Sequence, residues 1–402
     1  MSGHIPVRTV KFHIMAGIGA GFEVEHQEGD VLILNMGPQH PSTHGVLRLI
    51  LKISGEKIVD CQPDIGFLHR GVEKLSESLN YVQIPPVLER NDYLSPMSNA
   101  LAFVLALEKA GEVEVAERAK WIRTLFAELS RIGSHMVAIG TYSLDLGGAL
   151  GGGTSMFMQT FEIREKVLAL MEEFTGTRFH VNLVQVGGVR YDIPNAEWVK
   201  KVRKLADEVD RWVFDNLLPM MEASPVFRAR TKGIGYLSPE MAKLYGVSGP
   251  VIRGSGIAYD VRKAEPYDAY DKVDFDVVVE EGGDNYARWM VRGRELLEST
   301  KIIRQVLDGI PTGPISSRPP VKAPVAFKLP KDREAYARVE SPRGEMGAFV
   351  VSDGTTKPYR VKLRSPSFSN LSVLPYLVKG STLPDLIATL GSLDPVFGDV
   401  DR

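Results

Sequence analysis

The chain has 402 residues, 44 % of them hydrophobic and 24 % charged, with a formal net charge of -2 and a single cysteine, Cys61. That length accommodates two or three domains, or one large domain with an appendage, around a sizeable core, and the balance excludes a disordered chain and a strongly basic nucleic-acid surface. One cysteine excludes an intramolecular disulfide, and any iron–sulfur cluster or structural zinc held by this chain's thiolates alone. Cysteine usage points to a reducing address by default.

In chain order, residues 1–30 carry His4, His13, His26 and the run GIGAG (Gly17–Gly21) with little periodicity, and read as an irregular arm. GIGAG lacks the third glycine of a dinucleotide fingerprint, since position 22 is Phe. Val31–Leu34, Leu47–Ile53 and Lys57–Asp60 predict strands of a small antiparallel sheet, with Ser54-Gly55-Glu56 as a turn. Helices are predicted at Ser95–Ala110, Val113–Ile139, Ser155–Phe174, Ala196–Met221 and Asn285–Leu307. The longest apolar runs, such as Leu101–Leu107, fall far short of the roughly 20 residues that cross a bilayer, and the histidine-bearing start is unlike a secretory signal. Proline-rich Pro311–Pro330 reads as an extended connector. AYARVES and AFVVSDG predict two strands or a hairpin around PRGEMG, and a short helix is expected near Leu383–Leu390.

The expected class is α+β, a predominantly helical bundle with a small N-terminal antiparallel sheet. The expected organisation is an arm at 1–30, a small β domain at 31–62, a central helical domain at 63–310, a connector at 311–334, and a β/α portion at 335–402 packing on the central domain.

The stretch NMGPQHPSTHGVLRL (Asn35–Leu49) sets His40 and His44 four residues apart. Pro41 argues against a helix there, HPSTH lacks the glutamate of HExxH, and no spacing rule supplies a third ligand, so a metal site is poorly supported and His40 is expected to anchor its loop. Asp145 falls where a long helix should run out into a glycine-rich loop; it could cap that end or orient a histidine from elsewhere. Arg70 in GFLHRGVEK, Arg90 and Asp92 in ERNDY, and His180 in RFHVN read on their own as salt-bridged or loop-anchoring groups.

Taken together, NMGPQHPSTHGVLRL, IGFLHRGVEK, ERNDYLS, ELSRIGSHM, LDLGG, GGVRYDIP, RGSGIAYDVRKAEPYDAY, RVESPRGEMG, VSDGTTKPYRVK and SLDPVFGDVDR closely resemble the 49 kDa (D-type) subunit of respiratory complex I, in order from about Leu32 to Arg402. The resemblance implies a fold like the large subunit of nickel–iron hydrogenases. Where those enzymes hold their metals with two cysteine pairs, this chain has Asp92 and Ser95, then Val396 and Asp399, so soft-metal coordination is lost and a nickel–iron hydrogenase activity is not expected.

The resemblance further implies a quinone site, in which His44 and Tyr93 meet the headgroup and Asp145 partners His44. Arg70 and His180 match residues that lie against an iron–sulfur cluster held by a neighbouring subunit, and this chain would hold no metal or cluster itself. The implied activity is that of a proton-translocating NADH:quinone oxidoreductase of the respiratory chain. The implied partners are the B-type iron–sulfur subunit, the C-type subunit and the A- and H-type membrane-arm subunits, at the cytoplasmic face of the membrane, with the chain peripheral. Ferredoxin or a reduced deazaflavin stands as the alternative electron source, and a purely structural scaffold as a rival role. Two departures from the common pattern are a glycine-rich loop after LDLGG and a short segment between Leu307 and Arg338.

Overall fold

The computed structural model describes residues 22–28, 31–147, 154–317 and 327–402. The GIGAG run, the glycine-rich loop after LDLGG and the centre of the proline-rich connector lie wholly or largely outside these residues.

Four strands open the fold: β1 (Phe22–Glu28), β2 (Val31–Met36), β3 (Arg48–Ser54) and β4 (Lys57–Asp64), antiparallel and in sequence order across the sheet. The β3–β4 turn passes through Gly55 at φ 61°, a left-handed conformation that glycine adopts without penalty. Leu49 and Leu51 point to one face of β3 and are fully buried, as the two-residue period of a strand requires. That face, with Leu34, Met36 and Ile58, packs on Leu374, Leu390, Leu393 and Phe397 near the end of the chain. β1 lies within the segment expected to be an irregular arm, so the sheet extends to Phe22 at one end and Asp64 at the other.

A second and larger core is helical, built on Pro96–Ala110, Glu117–Asp145, Thr154–Thr175, Ala196–Trp212 and Asn285–Gly309. The 29-residue helix Glu117–Asp145 is its axis and packs on both Thr154–Thr175 and Asn285–Gly309. It runs past the expected end at Ile139 because Gly140 is a contact and not a stop: a Cβ there would sit 2.3 Å from Thr160 Oγ1. The helix expected over Ala196–Met221 changes at Val213–Leu217 to a π turn, then continues as Leu218–Ala223. Pro219 has no N–H to donate, and a local change of register absorbs the missing bond.

The remaining strands are the short pair β5 (Val184–Gln185) and β6 (Gly188–Val189), and a three-stranded antiparallel sheet of β7 (Lys331–Ser341), β8 (Gly344–Asp353) and β9 (Pro358–Arg364). β7 begins inside the stretch expected as connector. The α+β class with a helical centre is borne out, and among the described residues no helix is long and apolar enough to cross a membrane.

Candidate functional site

The loop between β2 and β3 is pinned from within. Pro41–Thr43 forms one 3₁₀ turn; His40 Nδ1 accepts from the Ser42 N–H (3.1 Å), and Thr43 Oγ1 lies 2.7 Å from the His40 carbonyl and 2.9 Å from the Gly45 carbonyl. His40 is therefore the loop anchor. His44 follows in the left-handed region at φ 58° and Gly45 at φ 144°, where a Cβ would meet the Phe397 ring at 2.7 Å.

This geometry aims His44 at the last residue of the long helix. His44 Nε2 and Asp145 Oδ2 are 2.7 Å apart, an ion-pair contact whose ring N–H is not aligned for a straight hydrogen bond. Burial is the largest influence on the imidazole and lowers its pKa; Asp145, and beyond it Asp394, outweigh burial and hold the pKa above the ordinary histidine value. The ring is thus a proton carrier biased toward its charged form.

Tyr93 is set by its neighbours in ERNDYLS. Asp92 Oδ1 accepts from the backbone N–H of Leu94 and of Ser95 (both 3.1 Å), a turn that delivers the chain into the helix starting at Pro96. Tyr93 stands on this turn with 37 % exposure, beside a crevice lined by Leu94, Ser130, Arg164 and Phe179. Burial, then Asp92, raise its hydroxyl pKa, with Arg343 acting in opposition. The phenol stays protonated and can donate. Asp394 acts on both His44 and Tyr93 and is the charge that the two groups share.

Arg343 and Asp394, together with Arg292, are residues that sequence reasoning did not single out. Arg343 Nη1 reaches Asp92 Oδ2 (3.2 Å) and Ser134 Oγ (2.5 Å), while its Nη2 is 3.5 Å from Asp394 Oδ2. Arg292 lies over the Trp289 ring and 4.0 Å from the same carboxylate. Arg292 Nε and Nη2, Arg343 Nε and Nη2, Asp394 Oδ2 and the Tyr142 hydroxyl are buried without a hydrogen bond among the described residues. RVESPRGEMG and SLDPVFGDVDR contain Arg343 and Asp394, but nothing in their spacing brings the two together.

The four positions that the resemblance matched to hydrogenase thiolates, Asp92, Ser95, Val396 and Asp399, come from two segments that meet. A Cβ on Gly398 would lie 2.4 Å from the Asn91 carbonyl, and Asp399 feels the Asp92 charge. Asp399 Oδ2 accepts from Ser365 Oγ (2.7 Å) and the Ser367 N–H (3.1 Å). Burial, then Asp92, raise its pKa to about 6. Among the described residues no group of three or more His, Cys, Asp and Glu side chains is arranged to hold a metal ion.

Arg70 and His180 lie in a different place, within electrostatic reach of each other and of Arg90. Arg70 is exposed and donates to Asn91 Oδ1 (2.8 Å). Half-buried His180 has a lowered pKa, from burial first and then from Arg90 and Arg70. Its loop is held by Glu89, whose carboxylate accepts from the Asn182 N–H at 2.9 and 3.1 Å; burial raises the Glu89 pKa to about 7. The positive charge here is that of Arg70 and Arg90, with His180 held toward its neutral form.

Residues 151–328 and 323–402 match the family described as the 49 kDa subunit of respiratory-chain NADH dehydrogenase. The chain is 45 % identical to a D-type NADH-quinone oxidoreductase subunit of Koribacter versatilis, covering 94 % of this chain and 98 % of that one. It is 46 % identical to the D-type NADH-quinone oxidoreductase subunit of Geobacillus thermodenitrificans, covering 92 % and 98 %. Among solved structures it superimposes with a TM-score of 0.88 and 37 % identity on a chain of the membrane-bound sulfane sulfur reductase, an archaeal respiratory membrane complex, over 93 % of this chain and 99 % of that one. With agreement over nearly its whole length in sequence and in fold, the chain belongs to the family of the respiratory-chain NADH dehydrogenase 49 kDa subunit.

Proposed function

We propose that this chain forms the quinone-reducing site of a membrane-associated, proton-translocating oxidoreductase of the complex I type. The observation that carries the reading is the buried His44–Asp145 contact at 2.7 Å, with the imidazole biased toward its charged form, in a fold that also presents the protonated hydroxyl of Tyr93. Reducing a quinone to a quinol takes two electrons and two protons, and negative charge develops on the carbonyl oxygens as electrons arrive. A charged imidazole and a neutral phenol can each donate to such an oxygen, and Asp145 keeps the imidazole oriented and charged between turnovers. Arg292 and Arg343 add positive potential around Asp394.

Electrons enter across an interface, from an iron–sulfur cluster on a partner subunit seated against Arg70 and His180. Cations there stabilise the added electron. The partners in this reading are the B-type iron–sulfur subunit, the C-type subunit and the A- and H-type membrane-arm subunits, with the chain peripheral on the cytoplasmic face of the membrane. NADH is the upstream donor in the first reading, and ferredoxin or a reduced deazaflavin in the second. The fold relative within a sulfane sulfur reductase adds a rival acceptor, since the same scaffold occurs in a complex described as reducing sulfur.

The test uses the assembled complex. NADH, reduced ferredoxin and reduced deazaflavin are offered in turn as donors, with a short-chain quinone or a polysulfide as acceptor, and cluster reduction is followed alongside. Quinone reduction that is lost in Tyr93→Phe while cluster reduction persists supports the reading. Polysulfide reduction without quinone reduction transfers the site to the rival acceptor.

A further inference from the structure

Behind the site lies a second ionic network, closed to solvent and joined to no step described above. Its carboxylates are Glu128, Asp260, Glu295 and Glu340; its guanidiniums are Arg131, Arg253 and Arg262; all have side chains 0–2 % exposed. The carboxylates outnumber the guanidiniums by one (4 − 3), and a sealed interior tolerates a net charge poorly.

The other basic group in contact is His135, whose Nε2 lies 2.8 Å from Glu295 Oε2. Its Nδ1 is buried with no hydrogen-bond partner among the described residues, so an imidazolium would bury an N–H without an acceptor. Burial first, then Arg131 and Arg292, hold the pKa of this ring below the ordinary value against the raising pull of Glu295. Arg292 itself faces Asp394, at 4.0 Å. The missing positive charge is thus not on His135, and with Arg292 set against Asp394 a proton on one carboxyl balances the network.

Donor counts decide which. Glu128 accepts from Arg131, Arg262, Tyr270 Oη and Ser299 Oγ. Asp260 receives the Arg262 side chain and the Arg262 backbone N–H. Glu295 receives Arg253 twice and faces His135. Among the described residues, Glu340 receives only Arg253 Nη1 (2.7 Å) and the Val261 N–H (3.1 Å). Arg131 donates to the Glu340 and Ser341 backbone carbonyls and not to the Glu340 carboxylate. On its other sides Glu340 is faced by Asp260, Arg262 and Tyr259, and its own backbone N–H donates to Tyr267 Oη.

From this arrangement we propose that the folded chain holds a proton on Glu340, leaving His135 neutral, and so carries a buried proton-binding site separate from His44. Burial, then Asp260, shift the Glu340 carboxyl upward, in agreement. The site is electrostatically linked to the Asp394 carboxylate beside His44, because Arg292 feels both Asp394 and Glu295.

The experiment uses the full chain, in a Glu89→Gln background that removes another buried carboxyl of raised pKa. Infrared spectra of this chain and of the same chain with Glu340→Gln are subtracted at neutral pH. The expected difference is a protonated-carboxyl carbonyl band, shifted in deuterium oxide, together with ring-nitrogen NMR signals of a neutral His135. A difference spectrum without that band overturns the proposal, and so does an imidazolium at His135. Should Glu340→Gln fail to fold, the parent chain with isotope-labelled glutamate side chains is measured directly; absence of a protonated-glutamate signal is then the overturning result. Neither readout involves quinone, so failure here leaves the proposed activity standing, and the reverse also holds.

Discussion

Replacing Asp145 by Asn removes one charge and little volume from the contact with His44. At the observed 2.7 Å two unit charges attract by about 6 kcal/mol at an effective dielectric of about 20. Desolvation of both groups offsets much of that, and breaking a buried pair costs about 3–5 kcal/mol. Side-chain exposures of 17 % for His44 and 11 % for Asp145 leave some screening, so about 2–3 kcal/mol is expected. The loss depends on pH with a definite sign. His44 has its folded pKa raised, so its contribution is full below the ordinary histidine pKa and disappears as pH rises through the folded value. Urea unfolding of the wild-type and Asp145→Asn chains should therefore differ most near about pH 6 and least near about pH 9. In the assembled complex, the pH profile of quinone reduction should move to lower pH, where the weakened imidazole is still protonated. A stability deficit equal at both pH values, with an unmoved turnover profile, would refute the account of His44 as a charged donor held by Asp145.

Tyr93→Phe deletes a hydroxyl with little change of shape and should reduce quinone turnover by roughly 10²-fold, about 2.7 kcal/mol, with cluster reduction intact; normal turnover per assembled complex would remove Tyr93 from the site. Gly45→Ala forces a side chain onto a φ of 144° and against the Phe397 ring, at a cost of about 2–4 kcal/mol; a melting temperature equal to wild type would contradict it. His180→Met should flatten the pH dependence of the partner cluster's potential while quinone reduction continues, read by redox titration at several pH values; an unchanged dependence would show that His180 only anchors its loop.

Much of the fold was legible in periodicity. Asn285–Leu307, expected from its start after Gly282-Gly283-Asp284, is observed as Asn285–Gly309, with Asp284 Oδ1 accepting from the Ala287 N–H as a helix cap. Where a residue serves tertiary packing, local rules misled. Gly140 looks like a helix end and is instead a close approach between helices. β9 alternates Arg360, Lys362 and Arg364 with inward Val361 and Leu363, a pattern too polar to stand out, though its buried positions follow the period of two. The same holds at the site. His44, Tyr93 and Asp145 were singled out only through resemblance, because a contact such as that between His44 and Asp145, a hundred positions apart, leaves no mark in spacing. Arg343 and Asp394 escaped because an arginine and an aspartate in a loop look like surface groups until burial shows otherwise.

The late residues of the chain close the early ones. Phe397 fills the space that Gly45 leaves open, Gly398 fits against Asn91, and the Asp401 carboxylate takes the backbone N–H groups of Gly66 (2.9 Å) and Leu68 (2.7 Å). During synthesis, then, the loop bearing His44 emerges first and waits for nearly all of the rest before its walls exist. Closing so long a loop is slow compared with forming the helices between, so the pocket should be among the last parts to mature. A nascent chain arrested before Asp394 can fold helices, yet it can display neither the shared carboxylate nor the aromatic wall. The surroundings of His44 are thus complete only once residues as late in the sequence as Asp394 and Phe397 are in place.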